Sequence, residues 1–185
     1  MAEHSPPERT RSAVIGPGFE IAGEQELGFL KVQTRGEEAK ERLAQRLGLD
    51  FPPPKRWQEG VLVQCAWLAP GEWLLSGGEG TILDLASELT EMLAEDFALV
   101  TDVSHGRASF LLTGMAAADR IASACPLDLR EPSFPPGCCA RSLFGEATIL
   151  LARLPDRKMK PAFRLVVDQS MAAYVLRLLQ EPASR

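Results

Sequence analysis

The run Ala108-Ser109-Phe110-Leu111-Leu112-Thr113-Gly114-Met115-Ala116-Ala117-Ala118-Asp119-Arg120-Ile121-Ala122-Ser123-Ala124 changes character at its single glycine. Before Gly114 the bulky, β-compatible residues predict a strand over 108–113. After it, Ala118, Ile121 and Ala122 share one face at helical spacing, which predicts a helix over 115–124. Pro126 stops that helix, because proline has no N–H for the ladder. A fainter copy of the same punctuation lies upstream, where Thr34-Arg35-Gly36-Glu37-Glu38-Ala39 echoes Leu112-Thr113-Gly114-Met115-Ala116-Ala117.

Outward from these two points the chain follows one plan twice. In the first copy a strand is predicted over 27–34, then a helix over 37–47 with Ala39, Leu43, Ala44 and Leu47 inward and Gly48 as its stop. Pro52-Pro53-Pro54 makes a stiff connector. Strands over 61–68 and 72–76 turn at Pro70-Gly71, and a helix over 81–95 buries Ile82, Leu85, Ala86, Leu89, Met92 and Leu93. In the second copy a proline-rich bend at 132–137 follows the helix. A hairpin over 138–143 and 147–154 turns near Phe144-Gly145, and a further strand covers 163–167. A last helix runs over 170–180, capped by Ser170 or Asp168.

One layer of strands with helices on a single face leaves apolar surface uncovered, and a second copy can cover it. The fold class read from this is α+β: two similar β-α-β-β-α units with mixed or antiparallel sheets and helices packed on them. Residues 1–12 are expected to form a flexible tail. Residues 13–181 are expected to form a single α+β domain of two halves, about 13–100 and 101–181, with 182–185 outside the fold.

Composition bounds the function. Of 185 residues, 45% are apolar and 24% charged, which excludes disorder over most of the chain. A chain of this length buries roughly 70% of its unfolded surface and needs no metal or disulfide to fold. Net charge is −5 with no basic run, which argues against a nucleic-acid partner. The N-terminus has no apolar stretch behind a basic start, and apolar runs such as 147–152 are too short to span a bilayer. The expectation is a cytoplasmic protein with no membrane contact.

Several groups invite a chemical reading, and each has a structural one beside it. Cys138-Cys139 could be a vicinal redox pair or half a metal site. Without a Cys-x-x-Cys spacing, and with His4 and His105 isolated, these residues read better as small thiols beside a turn. Gly78-Glu79-Gly80 before a helix could cradle a phosphate. The dinucleotide fingerprint needs a third glycine where Leu83 stands, so a tight strand-to-helix turn is expected. Asp102-Val103-Ser104-His105-Gly106-Arg107 offers a carboxylate, a hydroxyl and an imidazole. Neighbours on an extended chain point to opposite faces, so a turn closed by Asp102 and Ser104 is expected instead. Trp57, Trp67 and Trp73, near Phe51, could stack on a planar ligand such as a pterin, but read first as core or interface anchors. The acidic run Glu24 to Glu26 is expected to be a solvated face.

The second half resembles the glycine cleavage T-protein and its folate-binding relatives. The likeness rests on Asp102-Val103-Ser104-His105, the strand ending at Gly114, and the helix with Ala117-Ala118 and Ile121. It continues through Phe134-Pro135-Pro136-Gly137, the hairpin to Arg153-Leu154, and Phe163-Arg164-Leu165-Val166-Val167. Within that superfamily three segments look most like the gamma subunit of heterotetrameric sarcosine oxidase. They are Leu68-Ala69-Pro70-Gly71-Glu72-Trp73-Leu74-Leu75, Ser104-His105-Gly106-Arg107 and Cys125-Pro126-Leu127-Asp128-Leu129. The likeness covers residues 28–179.

The resemblance implies a T-protein-like fold and a place in an oxidative demethylation of sarcosine. It implies that FAD, FMN, NAD and tetrahydrofolate belong to partner subunits, the larger alpha and beta flavoproteins and a small delta subunit. T-protein relatives carry a catalytic Asp-Asp pair after the hairpin turn, and the matching positions here are Ala147 and Thr148. Glu146 is adjacent, but a one-residue shift turns a strand residue to the other face. The resemblance therefore assigns no catalytic, cofactor-binding or metal residue to this chain and implies a non-catalytic assembly subunit. The competing expectation is a free-standing folate-binding, aminomethyltransferase-like protein using Glu146. A third is a homo-oligomeric scaffold outside any oxidase.

Overall fold

The computed structural model describes residues 10–181. The chain opens with a hairpin of β1 (Thr10–Gly16) and β2 (Phe19–Glu24), then β3 (Leu27–Thr34) and α1 (Glu37–Leu47). Next come β4 (Trp57–Glu59), β5 (Gln64–Ala69), β6 (Glu72–Gly78), α2 (Glu79–Met92) and β7 (Ala98–Asp102). The second half holds β8 (Arg107–Thr113), α3 (Ala117–Ala122), β9 (Cys139–Phe144), β10 (Ala147–Arg157), β11 (Lys160–Asp168) and α4 (Ala172–Gln180). Every strand pairing is antiparallel.

Two sheets result, one in the order β1-β2-β8-β11-β10-β9 and the other β4-β5-β6-β3-β7. Read as β9-β10-β11-β8-β2 and β4-β5-β6-β3-β7, they have the same plan. The doubling expected from the sequence is therefore present, in an interlocked form. The strand that leads into β3 is β2, which pairs with β8 in the other sheet. The strand that leads into β8 is β7, which pairs with β3. Each unit donates its first strand to its counterpart, and the expected boundary near residue 100 falls inside β7.

Side-chain parity explains the layering. On β10, Ile149 and Leu151 join a core with Ile121 of α3 and Val175 and Leu179 of α4. The alternate residues Leu150, Ala152 and Leu154 pack with Phe29 of β3, Trp57 of β4 and Leu74 of β6. On the second sheet, Leu30, Val32 and Leu75 face Leu43 of α1 and Ile82, Leu85 and Leu89 of α2. The molecule is thus helices, sheet, sheet, helices, with the middle strands buried on both faces. Such strands read as continuous apolar runs, as 149–152 does.

Local chemistry places the helices. Glu37 and Glu38 sit in the first turn of α1 and Arg46 in its last, matching the helix dipole. Gly48 closes it in the left-handed conformation, φ 63°, with its N–H on the Ala44 carbonyl. Gly28 lets α2 approach β3, because a Cβ there would stand 2.8 Å from Cβ of Ile82.

Some boundaries differ from the sequence reading. Strand β1 begins at Thr10, inside the expected tail, while residues 1–9 and 182–185 lie outside the described residues. The sequence reading places no strand at β1, β2, β4 or β7; β2 and β7 pair with strands far along the chain, while β1 pairs with β2 across the Pro17-Gly18 turn. The β10–β11 hairpin is longer than expected because it turns at Lys158 and Met159, both at positive φ (51° and 62°) without a glycine to announce it. The register shift between Leu154 and Arg157 brackets Pro155, which cannot donate to a ladder.

Candidate functional site

The two sheets face each other across a seam. A charged cluster closes part of it. Arg164, pointing inward from β11, forks both oxygens of Glu24 on β2: Nε to Oε2 at 2.6 Å and Nη2 to Oε1 at 2.7 Å. Ser109 on β8 donates its hydroxyl to the same Oε2 at 2.6 Å. Across the seam, Arg164 Nη1 donates to the Gln64 side-chain carbonyl on β5. One guanidinium thus links three strands of one sheet to a strand of the other. Arg164 is 7% exposed.

Burial alone would raise the Glu24 carboxyl pKa. The charge and hydrogen bonds of Arg164, the Ser109 hydroxyl and the charge of Arg157 outweigh it and hold the group below the ordinary range. Glu24, expected on a solvated face, is instead the anionic partner of a buried ion pair. The missed signal was Arg164 itself: a lone cation among Phe163, Leu165 and Val166 in a doubly buried strand requires a carboxylate.

Beside this cluster the seam keeps a cavity of about 20 Å³, lined among others by Phe29, Trp57, Leu74, Leu150 and Arg164. That is room for about one water. An open depression of about 300 Å³ lies instead at the β1–β2 turn, lined among others by Ile15, Phe19, Glu20, Met115 and Lys160.

The other candidate groups fall into structural roles. Asp102 Oδ1 accepts from the Ser104 N–H at 2.9 Å and its hydroxyl at 2.6 Å, which lowers the Asp102 pKa. Ser104 Oγ in turn accepts from the Phe29 N–H at 2.9 Å, so the turn ties β7 to β3. The same device recurs where Asp168 caps Ser170, at 3.0 and 2.7 Å, and again lowers a carboxyl pKa. Arg107 bridges to Asp168 at 3.2 Å, while His105 is exposed. Asp102 and Ser104 bond to each other, and His105 makes no hydrogen bond to either.

Gly78 precedes α2, and the Glu79 N–H already donates to the Glu26 carbonyl at 2.9 Å, a backbone use of the expected phosphate cradle. Trp57 and Trp73 are core anchors. Trp57 Nε1 donates to the Arg153 carbonyl at 2.8 Å, and Trp73 packs on Phe51 with ring centroids 4.5 Å apart. Trp67 is half-buried against the cores on both sides of its sheet. Glu146 is exposed at the β9–β10 turn, where its N–H donates to Tyr174 Oη at 3.2 Å. Ala147 is in the helix-facing core, and Thr148 is exposed. Glu146 is not at the seam.

The thiols are free, and among the described residues no group of three His, Cys, Asp or Glu could hold a metal ion. Burial pushes the Cys139 thiol up to about 12, and Cys65 higher still. Cys139 donates to the Arg56 carbonyl at 3.1 Å, and Cys138, only half-buried, accepts from Arg56 Nη1 at 3.0 Å. In the native chain at pH 8, Cys138 alone is expected to react with Ellman's reagent, the other three only after unfolding. Two or more fast thiols would contradict this packing. Among the described residues no helix is long and apolar enough to cross a membrane.

Comparison with known proteins agrees with this architecture. The chain is 30% identical over 140 residues to the sarcosine oxidase subunit gamma of Corynebacterium sp. (strain P-1), covering 75% of this chain and 67% of that protein. A chain of the heterotetrameric sarcosine oxidase from Corynebacterium sp. U-96, solved in complex with pyrrole 2-carboxylate, superposes with a TM-score of 0.81. It is 22% identical, with 91% of this chain and 85% of that one covered. The glycine cleavage system aminomethyltransferase T from Bartonella henselae shares the fold, with a TM-score of 0.65 and 17% identity. The match covers 85% of this chain but 44% of that one, so this chain spans less than half of the aminomethyltransferase. A family model described as sarcosine oxidase, gamma subunit family, matches residues 35–185, and the chain belongs to that family.

Proposed function

We propose that this chain is a non-catalytic assembly subunit of a heterotetrameric sarcosine oxidase-type flavoenzyme, acting in the cytoplasm. It packs against larger alpha and beta flavoprotein subunits and a small delta subunit, and contacts neither nucleic acid nor membrane. FAD, FMN, NAD and tetrahydrofolate are held by those partners, and this chain supplies no catalytic, cofactor-binding or metal-ligating residue to the oxidative demethylation of sarcosine.

The observation that carries this reading is the sheet-to-sheet seam. A folate site needs a pocket of about 300 Å³ or more and a carboxylate free to face a cationic nitrogen. Here the seam keeps about 20 Å³, and its carboxylate, Glu24, is neutralised by Arg164. Glu146, the residue that the aminomethyltransferase alternative depends on, is exposed on a hairpin turn.

Co-expression with the alpha, beta and delta subunits of such an oxidase tests the proposal. The chain is expected to co-purify with them, and its omission to reduce recovery of the whole complex. Sarcosine or aminomethyl turnover by the isolated chain would overturn it.

A further inference from the structure

The doubled architecture leaves one position unmatched. In the first sheet, β2 is flanked on its outer side by β1. Its counterpart in the second sheet is β7, and among the described residues no strand pairs with the outer edge of β7. Alternation of the β3–β7 ladder from the Val103 N–H to Phe29 carbonyl bond turns the backbone groups of Val100 to that edge. Natural sheets protect such edges with prolines, lysines or bulges. This one carries none. Its large apolar side chains are open instead: Phe97, just before the strand, is 92% exposed and Leu99 is 55% exposed. Acidic residues stand at both ends, Glu95 before it and Asp102 at its close, while Asp96 is already paired with Arg42.

We propose that the outer edge of β7 receives an extended strand from one of the larger flavoprotein subunits, in the place that β1 holds on the other sheet. The inference rests on the assembly role proposed above. The incoming strand runs antiparallel to β7, as β1 runs to β2. Its main chain completes the ladder, its apolar middle covers Phe97 and Leu99, and basic residues toward its ends meet Glu95 and Asp102. A second copy of this chain fits less well, because pairing β7 with β7 would bring those acidic ends together.

The test uses the full chain, free and co-purified with the flavoprotein subunits of such an oxidase. Hydrogen exchange at the Val100 and Asp102 amides, which face the open edge, is expected to be fast in the free chain and at least about tenfold slower in the complex. The double variant Phe97→Lys and Leu99→Lys, which repels a basic strand, is expected to cut recovery of the complex at least about tenfold. Its own melting temperature should match the wild type, because neither side chain is in the core. Failure of the wild-type chain to form any complex would remove the assembly reading itself. A complex that forms normally, with exchange at Val100 and Asp102 unchanged or already slow in the free chain, or with the lysine variant recovered in full, would overturn the β7 proposal alone. So would self-association of the wild-type chain through this edge.

Discussion

Replacing Arg164 with alanine is expected to destabilise the chain by about 3–5 kcal/mol, because it strands the Glu24 carboxylate inside the seam without a counter-charge. For a domain of this size that corresponds to a fall of roughly 6–20 °C in melting temperature. Across the seam, the Gln64 side-chain carbonyl loses its Arg164 donor at the same time. Urea denaturation of wild type and variant measures the loss. The double change Glu24→Leu and Arg164→Met separates pair from packing: removing both charges is expected to cost far less than removing one. Equal losses in the single and double variants would mean that shape, not charge, holds the seam.

The same pair sets a pH dependence. The folded-state pKa of Glu24 lies below its unfolded value. Its contribution is therefore complete above the unfolded carboxyl pKa, about 4.3, and is lost as pH falls through the lower folded value. Acid unfolding of the wild type should accordingly be shallower in Glu24→Gln. Salt should affect the step little, since a buried pair is weakly screened.

Trp57→Ala is expected to cost a similar amount, about 3–5 kcal/mol. Trp57 is 7% exposed and packs in the cluster that joins the two sheets. Its backbone N–H donates to the Gly137 carbonyl at 3.0 Å, and its indole to the Arg153 carbonyl at 2.8 Å. It therefore fastens the short edge strand β4 to the loop before β9 and to β10. Trp57→Phe keeps most of the area and loses the indole bond, so a smaller loss of about 1–3 kcal/mol is expected. If Trp57→Ala unfolds at the wild-type denaturant midpoint, the seam is not the shared core described here.

Much of this was legible in the sequence for local reasons. Gly114, Gly48 and the Asp102-to-Ser104 turn carry their conformations in neighbouring residues, and the apolar run 149–152 declares burial on both faces. The tryptophans announced a core by size alone. What escaped was long-range. Glu24 and Arg164 are 140 residues apart, and no period links them. Strand β2 joins its sheet through β8 and β7 through β3, each from the opposite unit, so the interlocking has no local mark. The turn at Lys158 and Met159 lacks the glycine that normally announces such a hairpin.

The central claim, that the inner seam is a packed joint and not a folate site, is tested most directly by calorimetric titration of tetrahydrofolate into the purified chain. The account predicts a flat, non-saturating trace. Saturable micromolar binding that disappears in Glu24→Gln would contradict it.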